Sequence, residues 1–188
     1  MRVSAFRDTL EQLPIHKRRR IQQIKDNQTQ LQSIIGLKLV DIGFKTLGLR
    51  RFHLKKLSFL HNKPIQYNAS HFSISHSQAC ICCVISKSTA VGIDVEKIRS
   101  LSKKITNKYQ LRHTNHSPIT GWTQKEAVLK VYPEDNLTEL KDIKLTDKGA
   151  DFKKRHYYIS SHNLEQKFTM SIASTQPNSK IKIKRVYF

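Results

Sequence analysis

The stretch from Phe72 to Val95 constrains the fold more than any other part of the chain. Phe72-Ser73-Ile74-Ser75 and Ala79–Ser86 are short apolar-rich runs joined by His76-Ser77-Gln78, and Val91-Gly92-Ile93-Asp94-Val95 follows closely. Runs of this length bounded by turn residues read as strands. The spacing therefore predicts a strand pair with a tight connection and a third strand just behind it. Upstream, Leu10, Leu13, Ile21, Ile24, Leu31, Ile34, Ile35 and Leu39 recur at helical spacing over residues 8–50, with Pro14 a break or first-turn residue.

The remainder is read in the same way. His53–Phe59 begins a strand and His61-Asn62-Lys63-Pro64 is a turn signal. Residues 97–112 read as a basic helix and 113–120 as a loop. Trp122–Val131 reads as a helix with Thr123 as N-cap, Glu126 at the capping-box position, and Pro133 as its end. Ile143–Leu145, His156–Ser160, Phe168–Ala173 and Ile181–Phe188 alternate as strands, the last with Lys180, Lys182 and Lys184 interleaved as on a sheet edge. Both halves thus run from helices to a tightly connected strand pair, which predicts an α+β fold and suggests an internal duplication.

Charge narrows the partners. A net charge of +20 over 188 residues, spread across both halves, calls for an anion: nucleic acid, a membrane surface, a polyphosphate ligand or an acidic protein. No apolar run approaches the roughly 18 residues that span a bilayer, and Met1–Arg7 lacks a signal-peptide core, so a cytoplasmic location is expected. Cys80, Cys82 and Cys83 are too clustered for a disulfide framework. Cys80 and Cys83 are three apart on a strand and face opposite ways, so they read as small buried hydrophobes and not as a metal pair.

Against this basic background three acids stand apart. No Asp or Glu lies between Asp41 and Asp94, or between Glu96 and Glu126. Asp94 and Glu96, two apart on a strand, leave it on the same side. Glu126 and Lys130, four apart on a helix, share a face. Carboxylates from separate elements amid cations suit Mg²⁺ on a phosphorylated ligand: hard oxygens hold the metal and cations hold the phosphates. The plainer alternative is a pair of surface acids and an ordinary helix ion pair.

Taken in order, Phe72-Ser73-Ile74-Ser75-His76-Ser77, Val91-Gly92-Ile93-Asp94-Val95-Glu96 and Trp122-Thr123-Gln124-Lys125-Glu126-Ala127 followed by Lys130 resemble the signature of the 4′-phosphopantetheinyl transferase superfamily. Lys63-Pro64 stands upstream where that family often has K-P, so the resemblance covers about residues 63–130. The chain length resembles the monomeric, surfactin-synthetase-activating type, a pseudo-dimer of two similar α/β lobes. The resemblance implies lobes at 1–93 and 94–188, forming one unit with coenzyme A in the cleft between them. It implies Asp94, Glu96 and Glu126 as Mg²⁺ ligands, with Glu96 acting through water. Lys17, Arg20, Lys63, Ser75, His76 and Lys130 are implied as coenzyme A contacts, with His76 toward the 3′-phosphate and Lys130 on the pyrophosphate. Glu126 and Lys130 are implied as the catalytic pair. The expected activity moves phosphopantetheine from coenzyme A to a serine of an acidic apo carrier protein and releases 3′,5′-ADP.

The chain departs from the family in two places. Trp122 stands only 26 positions after Glu96, without the usual F-x-x-x-E segment that helps grip the carrier. Val131-Tyr132-Pro133-Glu134-Asp135-Asn136 also stands where the family tends to have G-x-G. Two alternatives remain: a non-catalytic homologue that binds coenzyme A or a carrier, and a basic nucleic-acid-binding protein. The latter shows no helix-turn-helix, zinc-finger, RRM or KH signature.

Overall fold

The computed structural model describes residues 6–49, 54–57, 59–60, 63–64, 70–111, 117–132, 137–177 and 180–187. Three helices open the chain: α1 (Arg7–Glu11), α2 (Ile15–Gln22) and α3 (Asn27–Thr46). Pro14 is the N-cap residue of α2, with an extended ψ of 142° and no side-chain cap, so α2 starts directly after it. Asp26 caps α3 by accepting from the Thr29 amide at 2.6 Å, an interaction worth about 1 kcal/mol. The apolar stripe of α3 (Ile34, Leu37, Val40 and Phe44) is buried throughout.

The strands follow. A short ladder, β1 (Phe59–Leu60) with β2 (Lys63–Pro64), precedes the hairpin of β3 (His71–Ser77) and β4 (Cys80–Ser86). Next come β5 (Val91–Lys97), α4 (Lys103–Lys108), α5 (Pro118–Leu129), a 3₁₀ turn at Leu137–Asp142, β6 (Lys144–Thr146), β7 (Gly149–Phe152), β8 (Arg155–Leu164) and β9 (Phe168–Ser174). The second half forms an antiparallel five-stranded sheet in the order β5-β9-β8-β7-β6. The protein is therefore a mixed α+β fold. Among the described residues no helix is long and apolar enough to cross a membrane.

The period-two alternation of the β3–β4 hairpin feeds two cores. Phe72, Ile74, Ile81, Cys83 and Ile85 face α1–α3, whereas Cys80, Cys82 and Val84 join Ile93, Val95, Met170 and Ile172 on the sheet. Cys80 and Cys83 do fall on opposite faces, and all three cysteines are free thiols. A third core lies under α5, where Ala127, Val128 and Leu129 meet Leu140, Ile143, Phe152 and Tyr157. Burying a Leu, Ile or Phe side chain stabilises by about 1.5–3 kcal/mol, so these contacts hold α5 against the 3₁₀ turn and the β7–β8 part of the sheet.

Several expectations are corrected. Leu54–Lys56 is a 3₁₀ turn and not the start of a strand. β3 runs on through His76 and Ser77, and the turn is Gln78-Ala79, with Gln78 at φ 51°. The basic helix over 97–112 shrinks to α4, because Lys97 completes β5 against Phe168 and Ser102 caps the helix only from Lys103. α5 begins five residues earlier than Thr123: Pro118 takes the first turn and Ser117 is the cap. Thr123 is inside the helix, donating to the Thr120 carbonyl at 2.8 Å. Ile181–Tyr187 pairs with no strand among the described residues, since only Ile181 reaches the core. Residues 61–62, 113–116, Pro133 and Phe188 lie outside the described residues.

Candidate functional site

The odd-numbered serines of β3 build the site. Ser73, Ser75 and Ser77 share one face of the strand, and that face looks onto the open edge of β5. Their hydroxyls accept the amides of Ile93, Val95 and Lys97 at 3.3, 3.3 and 3.2 Å. The other edge of β5 is paired with β9, so a row of hydroxyls completes the ladder where a neighbouring backbone normally would. This stitching holds β3 alongside β5 and sets Ser75 against Asp94 and Ser77 against Glu96.

Ser75 is fully committed. Its oxygen accepts from the Val95 amide and from Lys130 Nζ at 3.1 Å, and its proton goes to Asp94 Oδ1 at 2.8 Å. That exhausts the one donor and two lone pairs of a hydroxyl. Lys130 Nζ also bonds Asp94 Oδ1 at 2.7 Å. Asp94 is only 5% exposed, and a carboxylate so placed is tolerable because it is paired and hydrogen-bonded. One step along the strand, Ser77 repeats the pattern by donating to Glu96 Oε2 at 3.0 Å.

Lys130 reaches Asp94 because α5 lies directly on β5 at Gly92. A Cβ there would run into the Ala127 carbonyl and the Val131 amide, so only glycine permits this approach. Hydroxyls fix the helix laterally: Thr123 pairs with Ser171 at 2.8 Å, Ser171 with Ser161 at 3.0 Å, and Thr120 with Thr169 at 3.2 Å. Glu126 is carried by this helix one residue before Ala127 and is half-buried. His76 lies at the rim, where desolvation and then the charge of Lys130 hold its pKa below the usual histidine value, partly offset by Asp94 and Glu96.

Asp94 Oδ2 is buried and has no hydrogen-bond partner. An unpartnered carboxylate oxygen beside a lysine is a ready ligand for a hard cation, and the donor chemistry of Asp94 and Glu96 fits Mg²⁺. Among the described residues no three His, Cys, Asp or Glu side chains stand together as a metal-enclosing group. Mg²⁺ does not need one, because it keeps several waters and binds through one or two carboxylates plus substrate phosphates.

The structure thus brings Ser75, Asp94 and Lys130 into contact and sets Glu96 and His76 next to them. Lys17 and Arg20 lie on α2, which packs on α3. Burial, with the neighbouring charge of Arg20, lowers the pKa of Lys17. Lys63 falls in β2 with its side chain outside the described part. Thr123, read from the sequence as a cap, instead locks α5 to Ser171, and Ser73 and Ser77 are the contributors that the sequence reading assigned no role. Their signal is the i, i+2, i+4 serine alternation of β3, which becomes visible once His76 and Ser77 are read as strand. No family model matches the chain, and no curated protein matches it either.

Proposed function

We propose that this chain is a Mg²⁺-dependent 4′-phosphopantetheinyl transferase acting on coenzyme A and an acidic apo carrier protein. The observation that carries the reading is the Ser75–Asp94–Lys130 unit. Residues 55 and 36 apart from Lys130 in sequence meet in one hydrogen-bonded cluster with a carboxylate oxygen to spare. The two helix-covered hairpins, β3–β4 beneath α3 and β8–β9 beneath α5, support a two-lobed pseudo-dimer reading. The proposed protein is a cytoplasmic monomer.

In this reading Asp94 and Glu96 would hold Mg²⁺, with Glu126 of α5 a third carboxylate joining once coenzyme A is bound, and the ion would supply charge neutralisation at the pyrophosphate. Lys130 moves from its resting bond with Asp94 to a pyrophosphate oxygen and offsets charge that builds in the transition state. The carrier serine oxygen forms a bond to the β-phosphorus. The bond from that phosphorus to the bridging oxygen breaks, and 3′,5′-ADP leaves with the electron pair. Glu126 takes the serine proton. Ser75 keeps Asp94 oriented throughout, and His76 contacts the 3′-phosphate. Lys17, Arg20 and Lys63 are proposed nucleotide contacts.

The test is calorimetric and enzymatic together. Coenzyme A should bind in the presence of Mg²⁺, and Asp94→Ala or excess chelator should remove transfer while circular dichroism stays unchanged. Undiminished transfer in excess chelator refutes the metal assignment.

A further inference from the structure

The segment 180–187 follows the last strand and carries Lys180, Lys182, Lys184 and Arg185. Ile181 anchors it in the core that β4 shares with β5 and β9. Arg185 anchors it again, pairing with Glu165 of the β8–β9 turn at 2.9 Å and donating to the Tyr187 hydroxyl at 3.1 Å. Between and beyond these anchors the chain presents apolar surface to solvent: Ile183 is 57% exposed and Tyr187 80%.

A third exposed apolar residue is at the same end of the sheet. Ile98, 41% exposed, bonds through its amide to the Lys167 carbonyl at 2.8 Å, beside the same turn. Only four large hydrophobics are this exposed among the described residues, and the fourth, Ile15, is on α2. Scattered exposed hydrophobics need no explanation, but three gathered within a rim of exposed lysines have the form of a contact surface. The location is informative too. Lys97 pairs with Phe168 and Glu96 with Thr169, so this end of the sheet is also the end at which the acid site finishes.

We infer that segment 180–187, together with Ile98 and Lys167, is the docking surface for the acidic protein that carries the acceptor serine. Lysines at 182 and 184 meet its carboxylates, while Ile183 and Tyr187 cover its apolar residues. The choice of a protein over a nucleic acid rests on two of the three exposed apolar residues, Ile98 and Ile183, being aliphatic and offering bases no stacking face, and on Arg185 already occupying the single ring, Tyr187. This inference rests on the transferase reading and names that site's partner.

The experiment compares the unaltered protein with Lys182→Glu/Lys184→Glu and with Ile183→Ser/Tyr187→Ser, all at surface positions. Surface plasmon resonance measures binding of an apo acyl carrier protein and of a mixed-sequence RNA, and calorimetry measures coenzyme A. Both variants should bind the carrier at least about tenfold more weakly, the first through two reversed exposed charge pairs and the second through lost apolar burial, with coenzyme A affinity unchanged. Carrier affinity unchanged in both variants overturns the docking surface. So does RNA binding that the charge variant abolishes while carrier binding persists, or the absence of carrier binding by the unaltered protein. Loss of the underlying transferase reading shows separately, as failure of the unaltered protein to bind coenzyme A.

Discussion

Replacing Lys130 by Met isolates the interaction on which the site depends. The variant keeps the aliphatic stem and removes the ammonium, leaving Asp94 buried with only Ser75 as a donor. Breaking a buried ion pair from one side costs about 3–5 kcal/mol. The Lys130 side chain is 25% exposed against 7% for Asp94, so solvent recovers part of this, and about 2–3 kcal/mol is the expected loss. For a chain of this size each kcal/mol lowers Tm by about 2–4 °C, giving a fall of about 4–12 °C. Asp94→Asn in the Lys130→Met background removes the orphaned charge and should return about half the loss. The assay is urea unfolding of the wild type, both singles and the double, comparing midpoints at constant slope. Additive effects, with no coupling energy between the two positions, would refute the reasoning.

Four further outcomes follow from individual residues. Lys125 is 1% exposed, bonds the Leu140 carbonyl and has its pKa pushed down by burial to about 8. The unfolded chain therefore binds more protons than the folded one between about pH 8 and 10.5, and stability should rise with pH across that window by up to about 3 kcal/mol. Lys125→Met should flatten the rise in a pH series of denaturation midpoints. Gly92→Ala should force α5 off β5 and lower both Tm and coenzyme A affinity, as read by scanning calorimetry and titration. Ser77→Ala removes the partner of the Lys97 amide and of a Glu96 oxygen, both within reach of solvent, so a loss of about 0.5–1.5 kcal/mol is expected by urea unfolding. Burial lowers the pKa of His76, so coenzyme A affinity should strengthen as pH falls through that lowered pKa, and His76→Gln should abolish that dependence in calorimetry.

Much of this arrangement was legible in the sequence because it depends on local alternation. The period of two in β3, β4 and β5 is explicit, and it is enough to put Asp94 and Glu96 on one side and to separate Cys80 from Cys83. What the sequence concealed is set by tertiary contact. The sequence reads His76 and Ser77 as turn because both are polar, but Ser77 is polar because it faces β5 and Glu96, and His76, on the opposite face, because it is exposed at the rim of the site. The start of α5 was misplaced because Thr123 resembles a cap, although its hydroxyl in fact binds inward to Ser171. The C-terminal alternation of Ile and Lys promised an edge strand, but a strand needs a partner edge, and segment 180–187 pairs with none among the described residues.

The central claim is that the buried cluster of Ser75, Asp94 and Lys130 serves phosphopantetheine transfer. Its most direct measurement is the intact mass of a panel of apo carrier proteins after incubation with this protein, coenzyme A and Mg²⁺. At least one carrier should gain the mass of a phosphopantetheine group on its serine, with 3′,5′-ADP released in equal amount, and Asp94→Ala should abolish the gain. A panel that stays apo in every case, under conditions where calorimetry shows coenzyme A bound, would contradict the account.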